Sequence, residues 1–228
     1  MIELIWDIDG TLINTRGLGA APFCEAFTDH TSFAATIDKK KLSGFTDFEI
    51  ALSLMRDAGI REDIFLADKI LNSFSTKLES ILATEPPTIL GDVLSTLEHI
   101  QTSESLTNSI GSGNFLKGAI VKLKSAGLFD FFKNSEFFVA TTELWDRNAI
   151  IESAASKSTE YRKLVIGDSP RDISSARNSG LKVLSISTGQ HSYNELLELA
   201  PDYILDSDWK LSDFLEIIDE FESDYPSL

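Results

Sequence analysis

The feature that most constrains the fold is a repeated alternation of strand-like and helix-like segments from residue 88 onward. Short apolar runs, typical of buried strands, occur at residues 137–140, 164–166 and 181–186, and residues 106–110 form a more polar candidate strand. Stretches with apolar residues at helical spacing separate these runs. Because parallel strands need crossover connections, this alternation predicts an α/β fold with a parallel, Rossmann-like sheet and helices on both faces.

A first strand of the same sheet is predicted at the start of the chain, and a helical insertion follows it. Residues 2–8 form an apolar run closed by Asp9-Gly10, which is a turn signal. Apolar residues then recur at helical spacing up to residue 83, and Pro86-Pro87 ends this block. The predicted domains are an α/β core of residues 1–15 and 86–228 and a small all-α cap of residues 16–85.

The charge balance restricts the kind of partner. The 228 residues include 36 acidic and 20 basic side chains, for a formal net charge of −16. A nucleic-acid binder needs a basic surface over the phosphates, and an anionic membrane surface repels an acidic chain. We therefore expect no nucleic acid and no membrane as partner, and a small molecule instead.

The cysteine count and the apolar runs indicate a compartment. Cys24 is the single cysteine, so no internal disulfide can form and nothing points to an oxidising environment. No apolar run approaches the roughly 18 residues of a membrane-spanning helix. Met1 leads directly into the first predicted strand, without the basic and apolar stretches of a signal peptide. We therefore expect a cytoplasmic protein.

Polar side chains follow the predicted strands at the points where the strands end. The carboxyl ends of parallel strands meet at one edge of the sheet, which is where open α/β sheets bind their ligands. That edge would collect carboxylates, hydroxyls, an amide and a guanidinium from four segments of the chain. The segments contribute Asp7, Asp9 and Thr11; Ser112 and Asn114; Arg147; and Asp168 and Asp172.

The carboxylates at this edge predict a bound cation, because several carboxylates at one place repel one another. Oxygen ligands favour a hard cation, and Mg²⁺ takes one or two carboxylates together with waters and substrate phosphate. His30, His99 and His191 are scattered along the chain, so no zinc cluster is indicated. Mg²⁺ beside carboxylates and small residues at helix N-termini describes a site for phosphoryl transfer.

Three of these segments resemble the motifs of the haloacid dehalogenase superfamily. Residues 7–12 (DIDGTL) resemble its first motif, residues 112–114 (SGN) its second and residues 167–173 (GDSPRDI) its fourth. The predicted helical cap is similar to the cap that this family inserts after the first motif. The likeness covers essentially the whole chain in order, and it is closest to the branch of phosphoglycolate phosphatases and β-phosphoglucomutases.

The resemblance implies catalytic roles for residues of the first two motifs. Asp7 would attack phosphorus and form an aspartyl-phosphate. Asp9 would protonate the leaving oxygen and then deprotonate the water that releases phosphate. Ser112 would act with Gly113 and Asn114 to hold the phosphate oxygens.

The resemblance also implies a metal site and further substrate contacts. The metal ligands would be Asp7, Asp168 and the backbone carbonyl of Asp9, with Asp172 as a further ligand or as a group that orients the others. The remaining residues expected to contact the substrate lie near the first motif and in the cap: Gly10, Thr11, Arg16 and Thr46.

The third motif departs from the family pattern. It is usually a lysine before the helix that follows the third strand, whereas Arg147 occupies that place and no lysine lies between Lys133 and Lys157. Arginine keeps its charge and binds phosphate, but its planar fork differs from an ammonium group. Arg147 is therefore the predicted catalytic cation, with reduced activity or replacement by another basic residue as open alternatives.

Simpler structural roles compete for several of these residues. Asp9-Gly10 is also a hairpin signal, and residues 167–170 could form a strand-to-helix turn with an N-cap. Thr46 could be a helix N-cap, and Arg16 could be a solvated side chain. The presence of the first and fourth motifs together favours the functional interpretation of the aspartates.

We therefore predict a Mg²⁺-dependent phosphoric monoester hydrolase that acts on a small phosphorylated metabolite through an aspartyl-phosphate on Asp7. A phosphomutase of the β-phosphoglucomutase kind shares these motifs and is one alternative. A non-catalytic phosphate-binding relative that lost the third-motif lysine is another, which the intact Asp7, Asp9 and Asp168 argue against.

Overall fold

The computed structural model describes residues 1–38, 44–157 and 161–224. Its strands are β1 (Ile2–Trp6), β2 (Ile13–Asn14), β3 (Thr88–Ile89), β4 (Leu106–Phe115), β5 (Phe137–Ala140), β6 (Arg162–Gly167), β7 (Lys182–Ile186) and β8 (Tyr203–Leu205). Its helices are α1 (Ala20–Thr31), α2 (Asp47–Asp57), α3 (Ile64–Leu82), α4 (Val93–Thr102), α5 (Leu116–Ser125), α6 (Arg147–Lys157), α7 (Pro170–Asn178), α8 (Tyr193–Leu197) and α9 (Leu211–Ser223). None of these helices is both long and apolar enough to cross a bilayer.

Six of the described strands form one parallel sheet in the order β5-β4-β1-β6-β7-β8. β1 lies inside the sheet, where Leu4 is flanked by Asn108 of β4 and Leu164 of β6. All five residues of β1 are buried, which is why the segment has the near-continuous apolar pattern of a strand covered on both faces. The predicted α/β fold with a parallel sheet flanked by helices is confirmed.

Successive residues of β1 point into two different apolar layers, because side chains alternate between the faces of a strand. Leu4 and Trp6 belong to the layer that contains residues of α4 and α9. Within that layer the rings of Trp6 and Phe214 stack with their centroids 5.7 Å apart. Ile5 belongs to the opposite layer, which contains residues of α6, α7 and the helices α1 to α3. The sheet edge therefore stands between two packed layers that hold it rigid.

Helices α1, α2 and α3 occupy the stretch that the helical spacing predicts. α2 begins with a capping box, in which the Thr46 hydroxyl accepts from the Glu49 amide and the Glu49 carboxylate accepts from the Thr46 amide. The rings of Phe23 in α1 and Phe74 in α3 lie 4.9 Å apart. Because the apolar contacts of these helices continue into the layer around Ile5, the division into core and cap stays a prediction.

Two features depart from the expectation. β2 and β3 form a two-residue antiparallel pair, which is too short to give a periodic signal in the sequence. β4 continues to Phe115 instead of ending at residue 110, and its register against β5 shifts between Ser112 and Phe115. Such an irregularity re-aims side chains at the end of a strand. The polar end of β4 therefore belongs to the strand that leads into the site.

We expect Gly111→Ala to destabilise the centre of the sheet. A methyl group at Gly111 would lie 2.3 Å from Cγ2 of Ile5 and 3.2 Å from Cδ1 of Ile151. Both neighbours are fully buried, so the free energy of unfolding should fall by about 1–3 kcal/mol. Gly118→Ala on α5 is the matched control, since its nearest neighbour is 3.7 Å away and alanine favours a helix by about 1 kcal/mol. Denaturant unfolding should give changes of opposite sign, and an equal loss in both variants would contradict this account.

Candidate active site

Three carboxylates meet where β1 and β6 end. Asp7 follows β1, and its amide donates to the carbonyl of Ile166, which extends the pairing with β6. Asp168 follows β6, and Asp172 lies in the first turn of α7. One oxygen from each of Asp7, Asp168 and Asp172 lies within 4.8 Å of the others. The sheet edge therefore brings together the side chains that the sequence predicts as metal ligands.

Two glycines make room for the Asp168 carboxylate. Gly10 has a φ of +86°, and a Cβ there would lie 2.5 Å from Oδ2 of Asp168. A Cβ at Gly189, which follows β7, would lie 1.6 Å from the same oxygen. The Thr11 hydroxyl donates to Oδ1 of Asp168 over 3.2 Å. Sequence reasoning missed Gly189, although extending the search of strand ends to β7 would have included it.

The electrostatics of the cluster disfavour its ionised form. Burial raises the pKa of Asp7 to about 6, against the lowering effect of Arg147 and with further rises from Asp172 and Asp9. Burial also raises the pKa of Asp168 well above its usual range, and the charges of Asp7 and Asp172 are the next causes. These carboxylates therefore need positive charge beside them.

Arg147 supplies part of that charge at the first residue of α6. The Asp146 carboxylate accepts from the backbone amides of Asn148 and Ala149, which stabilises the start of this helix. The guanidinium donates from Nη1 to Asp7 over 3.3 Å and from Nη2 to Asp172, and its side chain is only 5% exposed. The arginine that stands in the place of the third-motif lysine thus contacts the first and fourth motifs together.

The end of β4 brings hydroxyl and amide groups to the same edge. The Ser112 hydroxyl lies near Asp7 and lowers the pKa of that carboxyl, and Asn114 Nδ2 donates to the Ser112 hydroxyl over 2.8 Å. A Cβ at Gly113 would lie 2.9 Å from Cα of Thr46, so only glycine admits the approach of the loop before α2. The three residues of the second motif therefore lie between the carboxylate cluster and the inserted helices.

Lys122 is a buried cation that the sequence-based analysis missed. It lies on the buried face of α5 beside Ala119 and Leu123, and its ammonium is 2.5 Å from Oδ2 of Asp9. Burial alone would lower the pKa of Lys122, but the charges of Asp9 and Asp47 outweigh burial and raise it. A lysine on the apolar stripe of an amphipathic helix is the signal that could have revealed it.

Asp47 is a second buried residue whose surroundings the sequence does not show. It is the first residue of α2, and its Oδ2 accepts from the amide of Phe115 over 2.7 Å. Burial raises the pKa of Asp47 to about 6, although Lys122 and the bond from Phe115 lower it. The start of α2 is thereby joined to the start of α5.

Three residues predicted to contact substrate have other partners. The Thr46 hydroxyl caps α2 and donates to the carbonyl of Trp145 over 2.7 Å. Thr11 is fully buried under Asp168, and neither threonine lines the cavity described below. Arg16 does line it, but its guanidinium donates to the carbonyl of Pro86 over 3.1 Å. A direct contact between these three side chains and substrate stays a prediction.

A cavity of about 450 Å³ opens between the sheet edge and the inserted helices. Its polar lining includes most of the predicted site, and its apolar wall comes from the inserted helices and the loop before α2. This volume is in the range of small-molecule sites. The lining residues that matter most for chemistry are Asp7, Asp9, Ser112, Asn114, Lys122, Arg147, Asp168 and Asp172.

The donor set fits a hard divalent cation, since it consists of carboxylate oxygens that repel one another without one. Asp172 already accepts from Arg147, from the Ser169 amide and from the Ser169 hydroxyl. Asp7 and Asp168 have fewer protein partners, so they are better placed to hold the ion, with Asp172 orienting them.

We expect Asp168→Asn to stabilise the metal-free protein and to remove its response to Mg²⁺. The change replaces a buried acid, whose ionisation is opposed by burial and by the charges of Asp7 and Asp172, with a neutral amide, so the free energy of unfolding in EDTA should rise by about 1–3 kcal/mol. Millimolar MgCl₂ should raise the Tm of the wild type and leave that of the variant unchanged. Asp219→Asn, on the exposed face of α9, is the control and should keep the full Mg²⁺ response. A variant that still responds to Mg²⁺ like the wild type would remove Asp168 from the metal site.

We expect the buried Asp47 to make stability depend on pH. In the folded protein the Asp47 carboxyl stays protonated up to about pH 6, whereas in the unfolded chain it loses its proton near pH 4. Relative to Asp47→Asn, the wild type should therefore be most stable below about pH 4 and lose about 3 kcal/mol as pH rises from 4 to 6. Urea unfolding of both proteins between pH 4 and 8 measures the difference. Asp57→Asn on the exposed part of α2 should show no such change, and parallel curves for Asp47→Asn would refute the assignment.

Comparisons with known proteins agree with this geometry. A family model for haloacid dehalogenase-like hydrolases matches residues 4–186. A curated relative, the pyrophosphatase PpaX of Bacillus pumilus, is 25% identical over 222 residues, which cover 94% of this chain and 95% of the relative. These matches extend over the segments that carry the first, second and fourth motifs.

Solved structures show the same fold. A hydrolase from Pseudomonas syringae is 19% identical with a TM-score of 0.73, and the match covers 96% of this chain and 99% of that one. A predicted phosphoglycolate phosphatase from Haemophilus somnus is also 19% identical, with a TM-score of 0.67 over 95% of this chain and 97% of that one. The predicted superfamily and the prediction of a hydrolase are confirmed. Since the family model matches most of its length, the chain belongs to the haloacid dehalogenase-like hydrolases.

Proposed function

We propose that this hydrolase is a Mg²⁺-dependent phosphatase that acts on a small phosphorylated metabolite, with Asp7 as its nucleophile. The observation that carries the proposal is the convergence on the Asp7 carboxylate of three kinds of group. These are the guanidinium of Arg147, the hydroxyl of Ser112 and the carboxylates of Asp168 and Asp172. A carboxylate held between a cation and a metal-binding pair is suited to attack a phosphoryl group.

In the first step, a carboxylate oxygen of Asp7 attacks phosphorus while the bond from phosphorus to the leaving oxygen breaks. Asp9 donates a proton to that oxygen, so the alcohol leaves neutral. The Asp9 side chain lines the cavity and is 39% exposed, which lets it reach a bound substrate. The products of this step are the free alcohol and an aspartyl-phosphate on Asp7.

In the second step, water attacks the phosphorus of the aspartyl-phosphate and gives a proton to the Asp9 carboxylate. The bond between phosphorus and the Asp7 oxygen breaks, inorganic phosphate leaves and the Asp7 carboxylate is restored. The sum is hydrolysis of one phosphoric monoester by one water, with Asp9 returned to its protonated form.

Charge on the transferring phosphoryl group is balanced from two sides. Ser112, the amides around Gly113 and the side chain of Asn114 are placed to hold phosphate oxygens, and Arg147 supplies a fixed positive charge. Asp7, Asp168 and the carbonyl of Asp9 would hold Mg²⁺, with Asp172 orienting them, and the ion would supply further neutralisation of charge at the phosphoryl oxygens.

The cavity and the relatives suggest which substrates to test. A volume of about 450 Å³ suits a small phosphorylated compound. One relative is named a pyrophosphatase and one similar structure a predicted phosphoglycolate phosphatase. Inorganic pyrophosphate and phosphoglycolate therefore belong in the panel, together with sugar phosphates, phenyl phosphate and 4-nitrophenyl phosphate.

We expect the purified protein to release inorganic phosphate from at least one member of this panel in the presence of Mg²⁺. Asp7→Asn should lower the rate by about 10³-fold or more, because it removes the nucleophile. EDTA should also suppress the rate. Asp219→Asn, an equal change of charge far from the cavity lining, should keep the wild-type rate.

Three outcomes would contradict the proposal. Binding of phosphate esters without release from any of them would identify a non-catalytic relative. Conversion of β-glucose 1-phosphate to glucose 6-phosphate, with little free phosphate, would identify a phosphomutase instead. Release that persists in Asp7→Asn would move the nucleophile to another residue.

A further inference from the structure

We propose that Lys122 is a positioning residue for Asp9. Together with Asn114 it holds one oxygen of the Asp9 carboxylate, so that the other oxygen is the one that exchanges the proton with the leaving group. The proposal rests on the role of Asp9 in the proposed function. It concerns the seventh residue of α5, which lies outside the three motif segments.

The contacts around Asp9 form a closed ring of three side chains. The Lys122 ammonium lies 2.5 Å from Oδ2 of Asp9 and also donates to Oδ1 of Asn114. Nδ2 of Asn114 donates to the same Oδ2 of Asp9 over 2.8 Å and to the Ser112 hydroxyl over 2.8 Å. Within residues 1–38, 44–157 and 161–224, no hydrogen bond reaches Oδ1 of Asp9. Two donors thus fix one oxygen and leave the other available.

Burial of the Lys122 ammonium group costs free energy unless anions compensate its charge. Its side chain is 8% exposed on a helix face shared with Ala119 and Leu123, and removing an ammonium from water is strongly unfavourable without paired anions. The charge of Asp47 adds to that of Asp9 in holding it. If Lys122 were only a structural counter-ion, it would neutralise the carboxylates of Asp9 and Asp47 but would not determine which oxygen of Asp9 faces the substrate.

Orientation matters because proton transfer requires the acidic oxygen within hydrogen-bond reach of the leaving oxygen. The Asp9 side chain is 39% exposed, so without the ring its carboxylate could turn toward solvent. Because Lys122 of α5 holds Oδ2 of Asp9, rotation about the Cβ–Cγ bond is restricted and Oδ1 points in one direction. Loss of Lys122 should therefore weaken the acid step and leave substrate binding nearly unchanged.

The test compares two substrates of nearly the same shape that differ in their need for an acid. Phenyl phosphate needs a proton on its leaving oxygen, whereas 4-nitrophenolate leaves as a stable anion. In Lys122→Met, kcat/KM should fall by about 10²-fold for phenyl phosphate and by less than about 3-fold for 4-nitrophenyl phosphate. This ratio reports the steps up to departure of the leaving group, so later hydrolysis of the aspartyl-phosphate does not enter it. Lys122→Arg, which keeps a charged donor, should recover part of the loss.

Matched variants separate positioning from structure. Lys124→Met removes the same charge from the exposed side of α5 and should leave both substrates unaffected. If Lys122→Met does not fold, the double variant Lys122→Met with Asp47→Asn takes its place, since it removes one of the two carboxylates left without a cation. Thermal unfolding checks each protein before the kinetics.

A double-mutant cycle covers metabolite substrates as well. In an Asp9→Asn background, adding Lys122→Met should cause no further loss of rate on whichever panel compound the wild type hydrolyses, because both changes remove the same step. Full additivity of the two losses would overturn the proposal. So would an equal fall of kcat/KM for the two aryl phosphates.

Failure of this proposal can be told from failure of the proposed function. If Asp7→Asn abolishes phosphate release while Lys122→Met behaves like Lys124→Met, the proposed role of Lys122 is refuted and the proposed function is not. If the wild type releases no phosphate from any compound, the proposed function falls and the role of Lys122 falls with it.

Discussion

Repulsion among buried carboxylates is the constraint on which the rest of this site depends. Asp7, Asp168 and Asp172 lie close enough to share one ion, between two apolar layers where their charges are poorly screened. Two buried cations compensate the negative charge at different positions. Arg147 forms ion pairs with Asp7 and Asp172, and Lys122 forms an ion pair with Asp9. The proposed nucleophile and the proposed acid thus have separate counter-ions.

The parallel sheet makes this concentration of charge possible. Strands that run in one direction deliver their following residues to one edge, and the packed layers on both faces hold that edge in place. Close packing there requires glycine, because the Asp168 carboxylate occupies the volume that side chains at Gly10 and Gly189 would need. A cation bound among these carboxylates would relieve their mutual repulsion.

The inserted helices contribute to the site directly. Asp47 at the start of α2 bonds the start of α5, and the neighbouring Thr46 donates to the carbonyl of Trp145. Arg171 in α7 donates from Nη1 to both oxygens of the Glu49 carboxylate in α2 over 2.9 Å. These hydrogen bonds connect the residues near the sheet edge to the inserted helices, which form the apolar wall of the cavity. With a net charge of −16, local cations rather than the overall field must attract an anionic substrate.

Apolar periodicity and short turn motifs are local patterns, so the α/β fold, the succession of its main strands along the chain and the strand-end aspartates could be predicted from the sequence. The sequence could not show that Lys122 faces Asp9, that Gly189 borders Asp168 or that the Thr46 hydroxyl donates to the carbonyl of Trp145. Those relations join residues far apart in the chain, and they depend on the register of β4 and on how α2 and α5 pack. Only the tertiary structure decides them, because it sets which long-range neighbours share a buried volume.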